Sequence, residues 1–190
     1  MIDIVNILVD LTNPFTQDFQ VVININPKSN DIILSLPIWT PGSYKVRDHV
    51  QYLYDLNAYQ DQKRISVERI EISSWRIKLE QLSELSISYK LEAREFTVRT
   101  NYIDSDLASL CLPASILIIE GYRKCNYKLH INLPETWDVY MPLVQIGGVY
   151  EADDYDTLVD SPLMAGNFKS NLFYVRNKKH SILNVGNIPN

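Results

Sequence analysis

The chain has 190 residues, 46% of them hydrophobic and 22% charged, which fits a globular domain and excludes a disordered chain or a disulfide-dense miniprotein. Its formal net charge of −5 offers no basic surface for polyanions, so we expect neither nucleic acid nor a membrane as a partner. No apolar run approaches the roughly 20 residues that span a bilayer, and no export signal opens the chain, so we expect a soluble, cytoplasmic protein.

Alternation of apolar and polar residues predicts half-buried antiparallel strands along most of the chain. The alternation is clearest at residues 21–25, 75–79 and 85–91, where every second side chain is apolar. Shorter apolar runs predict further strands at residues 32–36, 65–72, 96–100, 115–120, 127–133 and 182–185. A shift of the apolar phase within the second of these runs predicts a bulge or a tight turn near Glu68 and Arg69.

Helical spacing is nearly absent from the sequence. Only residues 46–58 show it, and because the same residues also alternate as a strand, we favour extended structure there. Short strands separated by turns predict an all-β fold, either an antiparallel β-sandwich or a saddle-like set of open sheets with little helix. We expect one β domain over residues 1–190, since no linker or repeat divides the chain.

The residues that catalysis would need are missing from the sequence. There is no H-E-x-x-H motif, and the three histidines lie far apart, so we expect no catalytic group and no metal site in this chain. Acidic residues at positions 151–160 lack the pattern of a calcium loop, and we interpret them as a solvated loop that leads into a strand. We expect the two cysteines to be reduced.

Three segments carry more specific patterns. Residues 36–44 read Leu-Pro-Ile-Trp-Thr-Pro-Gly-Ser-Tyr, with a predicted type II turn at Pro-Gly and with Arg and Asp following at positions 47 and 48. Residues 94–101 read Arg-Glu-Phe-Thr-Val-Arg-Thr-Asn, and residues 154–162 read Asp-Tyr-Asp-Thr-Leu-Val-Asp-Ser-Pro. In this order, the three segments resemble the N-terminal domain of the glycyl aminopeptidase family, zinc metallopeptidases that usually also carry a PDZ domain.

The resemblance implies a β-rich, non-catalytic N-terminal domain that packs on a thermolysin-like catalytic domain of the same parent protein. That catalytic domain, which is missing here, would hold the zinc and hydrolyse peptides at their N-terminus, so this chain needs no cofactor and is expected to be inactive alone. It would meet the peptide substrate indirectly, by shaping the substrate cleft. The alternative is a free-standing β-sandwich module for binding or as an adaptor, which would have the same strands and motifs.

The candidate residues for contact with a substrate or with another domain are Trp39, Tyr44, Arg47, Glu95, Arg99, Asn101 and Asp104. We expect the two aromatic side chains to pack in the core or between domains. Ordinary surface ion pairs are expected for the arginines, including Arg94, with Asp48 or the acidic candidates as partners. The polar residues 99–113 form a candidate rim that faces the catalytic cleft and helps to hold a peptide ammonium. We expect an exposed apolar patch near this rim or near Trp39, where it would also permit self-association.

Overall fold

The structure is a computed structural model that describes residues 3–39 and 45–185. About 52% of the described residues are in strands and 8% in helices, which confirms the prediction of an all-β fold with little helix. In chain order the strands are β1 (Ile4–Asp10), β2 (Asp18–Ile25), β3 (Asp31–Ser35), β4 (Leu53–Gln60), β5 (Lys63–Ile65), β6 (Val67–Glu71), β7 (Ser74–Lys78), β8 (Leu85–Glu92), β9 (Tyr102–Ile103), β10 (Leu107–Leu110), β11 (Ile118–Ile119), β12 (Asn126–Asn132), β13 (Asp138–Tyr140), β14 (Val144–Ile146), β15 (Val149–Ala152), β16 (Leu163–Gly166), β17 (Lys169–Val175) and β18 (Lys178–Asn184). The helical segments are α1 (Tyr155–Val159) and three short 3-10 turns, Pro14–Thr16, His49–Tyr52 and Leu112–Ala114.

The largest sheet has eight strands in the order β14-β15-β12-β1-β2-β8-β4-β5. Strand β8 shows why the alternating segments became strands: Leu85, Ile87, Tyr89 and Leu91 are buried, while the residues between them are half-buried. Strands β1 and β12 pair in parallel over their whole length, whereas the other strand pairs of this sheet are antiparallel. The sequence analysis missed β1, because its nearly continuous apolar run does not alternate.

Two four-stranded sheets, β13-β16-β10-β9 and β11-β3-β7-β6, complete the core. Apolar side chains from both sheets join those of the large sheet in one buried cluster, for example Leu34 and Ile77 from one sheet and Leu110 and Ala165 from the other. The register of β6 against β7 shifts between Arg69 and Glu71, which confirms the predicted bulge. The single domain over residues 1–190 stays a prediction.

Strands β17 and β18 form a separate two-stranded sheet near the end of the chain. Their tight turn places Arg176 and Asn177 at φ of 47° and 61°, as a two-residue hairpin turn requires. Every residue of β17 is exposed, and so are most of those in β18. This hairpin therefore adds no side chains to the core. Within the described ranges, no helix has the length and the apolar character that crossing a membrane would require.

Several local predictions are wrong. Residues 96–100 form a turn instead of a strand, because hydrogen bonds to the carbonyl of Glu95 fold the backbone back on itself. Of residues 115–120, only Ile118–Ile119 forms a strand. The extended structure expected at residues 46–58 is confirmed from Leu53, where β4 begins, but a 3-10 turn occupies His49–Tyr52 before it. The acidic segment contains helix α1, where a solvated loop was predicted, because Asp154 caps it by accepting a hydrogen bond from the Thr157 N–H.

Removal of one buried hydroxyl tests this description of the core. The Tyr89 hydroxyl donates to the carbonyl of Ser115 at 2.8 Å and accepts from the N–H of Leu117 at 3.2 Å. Because Tyr89→Phe leaves both buried groups without a partner, we expect a loss of about 1–3 kcal/mol. For a chain of this size, thermal melting should then show a midpoint lower by roughly 2–4 °C for each kcal/mol. The control Tyr174→Phe, at a 70% exposed position, should melt like the parent, and equal midpoints for the two variants would contradict the assignment.

Candidate functional site

The three sequence motifs meet around one turn, residues 97–100, which lines two neighbouring pockets. The larger one, of about 500 Å³, is also lined by residues 109–113 and 159–164, and we call it the DSP pocket after Asp160-Ser161-Pro162. The smaller one, of about 410 Å³, is lined by residues 45–49, 51, 52 and 95, and we call it the basic pocket. Segments that are far apart in the sequence thus form one region of the surface.

The backbone of Glu95 holds turn 97–100 in place. Its carbonyl accepts hydrogen bonds from the N–H of Thr97 at 3.0 Å and from the hydroxyl of Thr100 at 2.7 Å. The two threonine hydroxyls are also 2.6 Å apart. These local bonds leave Val98 and Arg99 exposed at the tip of the turn, between the two pockets.

Asn101 lies beneath the surface, where it connects the turn to the floor of the DSP pocket. It is only 5% exposed, and its side-chain oxygen accepts from the N–H of Cys111 and from the hydroxyl of Ser115, both at 2.9 Å. These contacts hold the segment that begins the 3-10 turn Leu112–Ala114. Asn101 is therefore placed to position this segment of the chain.

Asp104 lies in the turn between β9 and β10 and lines neither pocket. Its carboxylate accepts hydrogen bonds from the N–H groups of Asp106 and Leu107 at 2.9 and 2.8 Å, and from the Tyr102 hydroxyl at 2.7 Å. Burial acts to raise the pKa of this carboxyl, but the three hydrogen bonds outweigh it and hold the pKa below its usual value. The carboxylate thus stabilises the hairpin.

Arg47 and His49 place two basic groups side by side in the basic pocket. The backbone N–H of Arg47 donates to the carbonyl of Ile38 at 2.7 Å, which connects the two halves of the first motif. His49 is 3% exposed, and its pKa is lowered first by burial and then by the positive charge of Arg47, with Asp48 opposing. Sequence reasoning did not single out His49, because one isolated histidine gives no pattern.

The ion pairs that we expected for the arginines do not form. Where the structure describes both partners, none of Arg47, Arg94 and Arg99 lies within ion-pair distance of the proposed acids at 48, 95 and 104. Glu95 acts on Tyr52 instead: burial raises the pKa of the Tyr52 hydroxyl, and the negative charge of Glu95 raises it further. Arg47 and Arg99 thus line the basic pocket without an ion pair to Asp48 or Glu95.

Five apolar side chains of the first two motif segments are exposed, and we call them together the apolar patch: Ile38, Trp39, Val46, Phe96 and Val98, which are between 45% and 90% exposed. Two of them, Val46 and Val98, line the basic pocket. Trp39 itself is 52% exposed, so the core does not enclose its ring. Tyr44 and the predicted Pro-Gly turn lie outside the described residues.

Three acidic residues of segment 151–160, which are Glu151, Asp154 and Asp156, have partners within the chain. Asp154 caps α1, and Asp156 forms an ion pair with Arg123 at 2.7 Å. Across residues 3–39 and 45–185, no three side chains of His, Cys, Asp or Glu are grouped in a way that would hold a metal ion. Cys111 and Cys125 are free thiols.

Comparisons with known proteins point to one family. The family model described as "Peptidase M61 N-terminal domain" matches residues 6–167. An aminopeptidase N family protein from Idiomarina loihiensis has the same fold, with a TM-score of 0.89 at 24% identity over 96% of this chain and 32% of that one. An M1 zinc metallopeptidase from Deinococcus radiodurans has a TM-score of 0.52 at 8% identity, over 97% of this chain and 46% of its own. The chain thus spans less than half the length of these proteins, and no curated protein matches it.

A matched pair of tryptophan substitutions tests whether the patch is outside the core. Trp75 is 7% exposed and Trp39 is 52% exposed, so truncation should cost them very different amounts of stability. We expect Trp75→Ala to lower the free energy of unfolding by about 3–5 kcal/mol and Trp39→Ala by about 1 kcal/mol or less. Denaturant titration of both variants measures the difference. An equal loss for the two would show that the ring of Trp39 is enclosed.

Substitution of Asn101 tests its positioning role. Asn101→Ala removes the acceptor for the Cys111 N–H and the Ser115 hydroxyl, which should cost about 1–3 kcal/mol. Burial raises the pKa of the Cys111 thiol, so in the parent this thiol should react slowly. We expect the variant to increase the reaction rate of Cys111 with a thiol reagent, and the exposed-site control Asn171→Ala to leave it unchanged. An unchanged rate in Asn101→Ala would argue against the role.

Proposed function

Because the chain belongs to the Peptidase M61 N-terminal domain family, we propose that it is the non-catalytic N-terminal β domain of a zinc-dependent aminopeptidase. In this proposal, a thermolysin-like catalytic domain of the same parent protein holds the zinc and removes residues from the N-terminus of peptides. The present chain packs on that domain and shapes one side of its substrate cleft. The large unmatched parts of the structurally similar metallopeptidases support the presence of such a second domain.

The observation that carries this proposal is the exposed apolar patch. Trp39 and Val98 are 52% and 90% exposed, although covering apolar surface gains about 25 cal/mol per Å². A group of exposed apolar side chains of this size is typical of a surface that another protein or domain covers. The patch belongs to the same motif segments that carry the family resemblance, which supports a partner within the same protein.

The rim of the DSP pocket supports a place beside the substrate cleft. Residues 99, 100 and 109–113 line this pocket together with Asp160 and Ser161, so the predicted rim is one side of an open cavity. Glu95 lines the basic pocket next to it and carries the carboxylate that a peptide ammonium would meet. In the proposal, Arg99 lies at the border between the two pockets, and Asn101 and Asp104 hold the backbone behind them.

The residue types in this chain indicate which part of the catalytic chemistry belongs to it and which part belongs to the catalytic domain. The proposal assigns zinc and its activated water to the catalytic domain, because such a site needs three protein ligands and an open position. This chain contributes surface, shape and charge. Its isolated form is therefore expected to hydrolyse no aminoacyl substrate.

The proposal is tested on the parent protein. If the proposal is correct, the parent protein continues beyond Asn190. The coding sequence downstream should contain an in-frame H-E-x-x-H motif. Amide hydrogen exchange at residues 95–100 should be slower in the parent protein than in the isolated chain, because docking covers the patch. The double variant Trp39→Ala with Val98→Ser should remove that protection and lower kcat/KM of the parent protein.

The control for this experiment is Phe15→Ala, a 79% exposed aromatic residue outside the patch. It should leave both the protection and the activity unchanged. A parent protein without the zinc motif, or equal exchange at residues 95–100 in both forms, would instead favour a free-standing binding module.

A further inference from the structure

The basic pocket contains two buried nitrogen atoms that lack a partner in the described chain. The Nε atom of Arg47 and the Nε2 atom of His49 are closed off from solvent and make no hydrogen bond. His49 is 3% exposed, whereas Arg47 is half-buried and can be approached from the pocket. Since an unpaired buried polar group costs about 1–3 kcal/mol, folded proteins seldom keep one without a reason.

The charged residues of the pocket do not supply the missing acceptor. Its lining carries three cations, which are Lys45, Arg47 and Arg99, and two carboxylates, Asp48 and Glu95. Neither carboxylate forms an ion pair with Arg47. The half-buried guanidinium of Arg47 therefore has no carboxylate partner among the residues that line the pocket.

We propose that the basic pocket binds the carboxylate of a small peptide, with Arg47 as the principal contact and His49 as a second basic group beside it. A guanidinium can donate two parallel hydrogen bonds to one carboxylate, which a single compact cation cannot do. The carboxylates of Asp48 and Glu95 in the lining repel a dianionic phosphate more than a monoanionic carboxylate, so the pocket matches the carboxylate better. Its volume of about 410 Å³ is within the range of small-molecule sites.

Binding at Arg47 has a measurable effect on His49. The positive charge of Arg47 lowers the pKa of His49, in addition to burial, and Asp48 acts in the opposite direction. A bound carboxylate offsets the charge of Arg47, so it raises the pKa of His49 even without touching the ring. The other titratable groups that line the pocket, Lys45, Tyr52, Glu95 and Arg99, are present with and without the ligand.

The first experiment titrates the isolated chain with three probes while NMR follows its three histidines. The probes are N-acetyl-alanyl-alanine, the same dipeptide with an amidated C-terminus, and inorganic phosphate. We expect the free acid to raise the titration midpoint of His49 and to leave His130 and His180 unchanged, and the amide to have no effect. An absent shift, an equal shift with the amide, or tighter binding of phosphate would overturn the assignment.

The second experiment repeats the free-acid titration with variants. Arg47→Gln should weaken binding about tenfold or more, because it removes a charged hydrogen-bond donor. Arg47→Lys keeps the charge but loses the planar fork, so it should bind with intermediate affinity. Arg94→Gln, at an exposed arginine outside the pocket, is the matched control and should bind like the parent.

Parent-like affinity of Arg47→Gln would refute the proposal. If melting curves show that this variant does not fold, the decision rests on Arg47→Lys, whose affinity must then be below that of the parent. All these measurements use the isolated chain, so they do not depend on docking. The two proposals can fail separately. A chain that binds no carboxylate but whose amides at residues 95–100 still exchange slowly in the parent protein would contradict this inference alone, and carboxylate binding without slowed exchange would contradict the proposed function alone.

Discussion

Residues 115–117 run through the core without pairing with a strand. The candidate site depends on the hydrogen bonds that side chains make to the buried peptide groups of this segment. All three are at most 1% exposed, so water cannot serve their peptide groups. Two tyrosine hydroxyls do so: that of Tyr89 binds the Ser115 carbonyl and the Leu117 N–H, and that of Tyr155 binds the Ile116 carbonyl at 2.8 Å. Burial raises the pKa of both phenols, so both remain protonated donors at neutral pH.

This buried segment connects the sheets to the pockets. Tyr89 belongs to strand β8 of the large sheet, and Tyr155 belongs to the third sequence motif. The buried ring of Tyr155 therefore holds this motif in the core, while Asp160 and Ser161 line the DSP pocket. Ser115 in turn bonds Asn101, which is followed by β9 and preceded by turn 97–100. The rigid core therefore fixes both ends of a short exposed turn, whose local threonine bonds then decide which side chains face the pockets.

The sequence was most informative where one physical rule acted alone. Strict alternation predicted β2, β7 and β8, because these strands each have one face in the core. The same reasoning failed at residues 96–100, where side-chain hydrogen bonds from Thr97 and Thr100 favour a turn over a strand. It also missed β1 and its parallel pairing with β12, since a run that is apolar on both faces has no period and pairing between distant segments has no local signal. The motifs identified the region of the site, but only the structure shows that Trp39 is exposed, that Asn101 is buried and that Arg47 lies next to His49.

Covering the apolar patch favours docking of a second domain, whereas covering the basic pocket opposes it. This difference links the two proposals. A domain that covers Trp39 and Val98 also removes water from the neighbouring guanidinium of Arg47, and desolvation of an unpaired charge opposes docking. A carboxylate bound at Arg47 removes that penalty, because the pair is neutral when it is covered. Docking would therefore be more favourable with the carboxylate in place, and by thermodynamic reciprocity the carboxylate would bind more tightly to the docked form. A surface that combines exposed apolar side chains with a half-buried cation that lacks an ion-pair partner would in this way bind a second domain more tightly when the ligand is present.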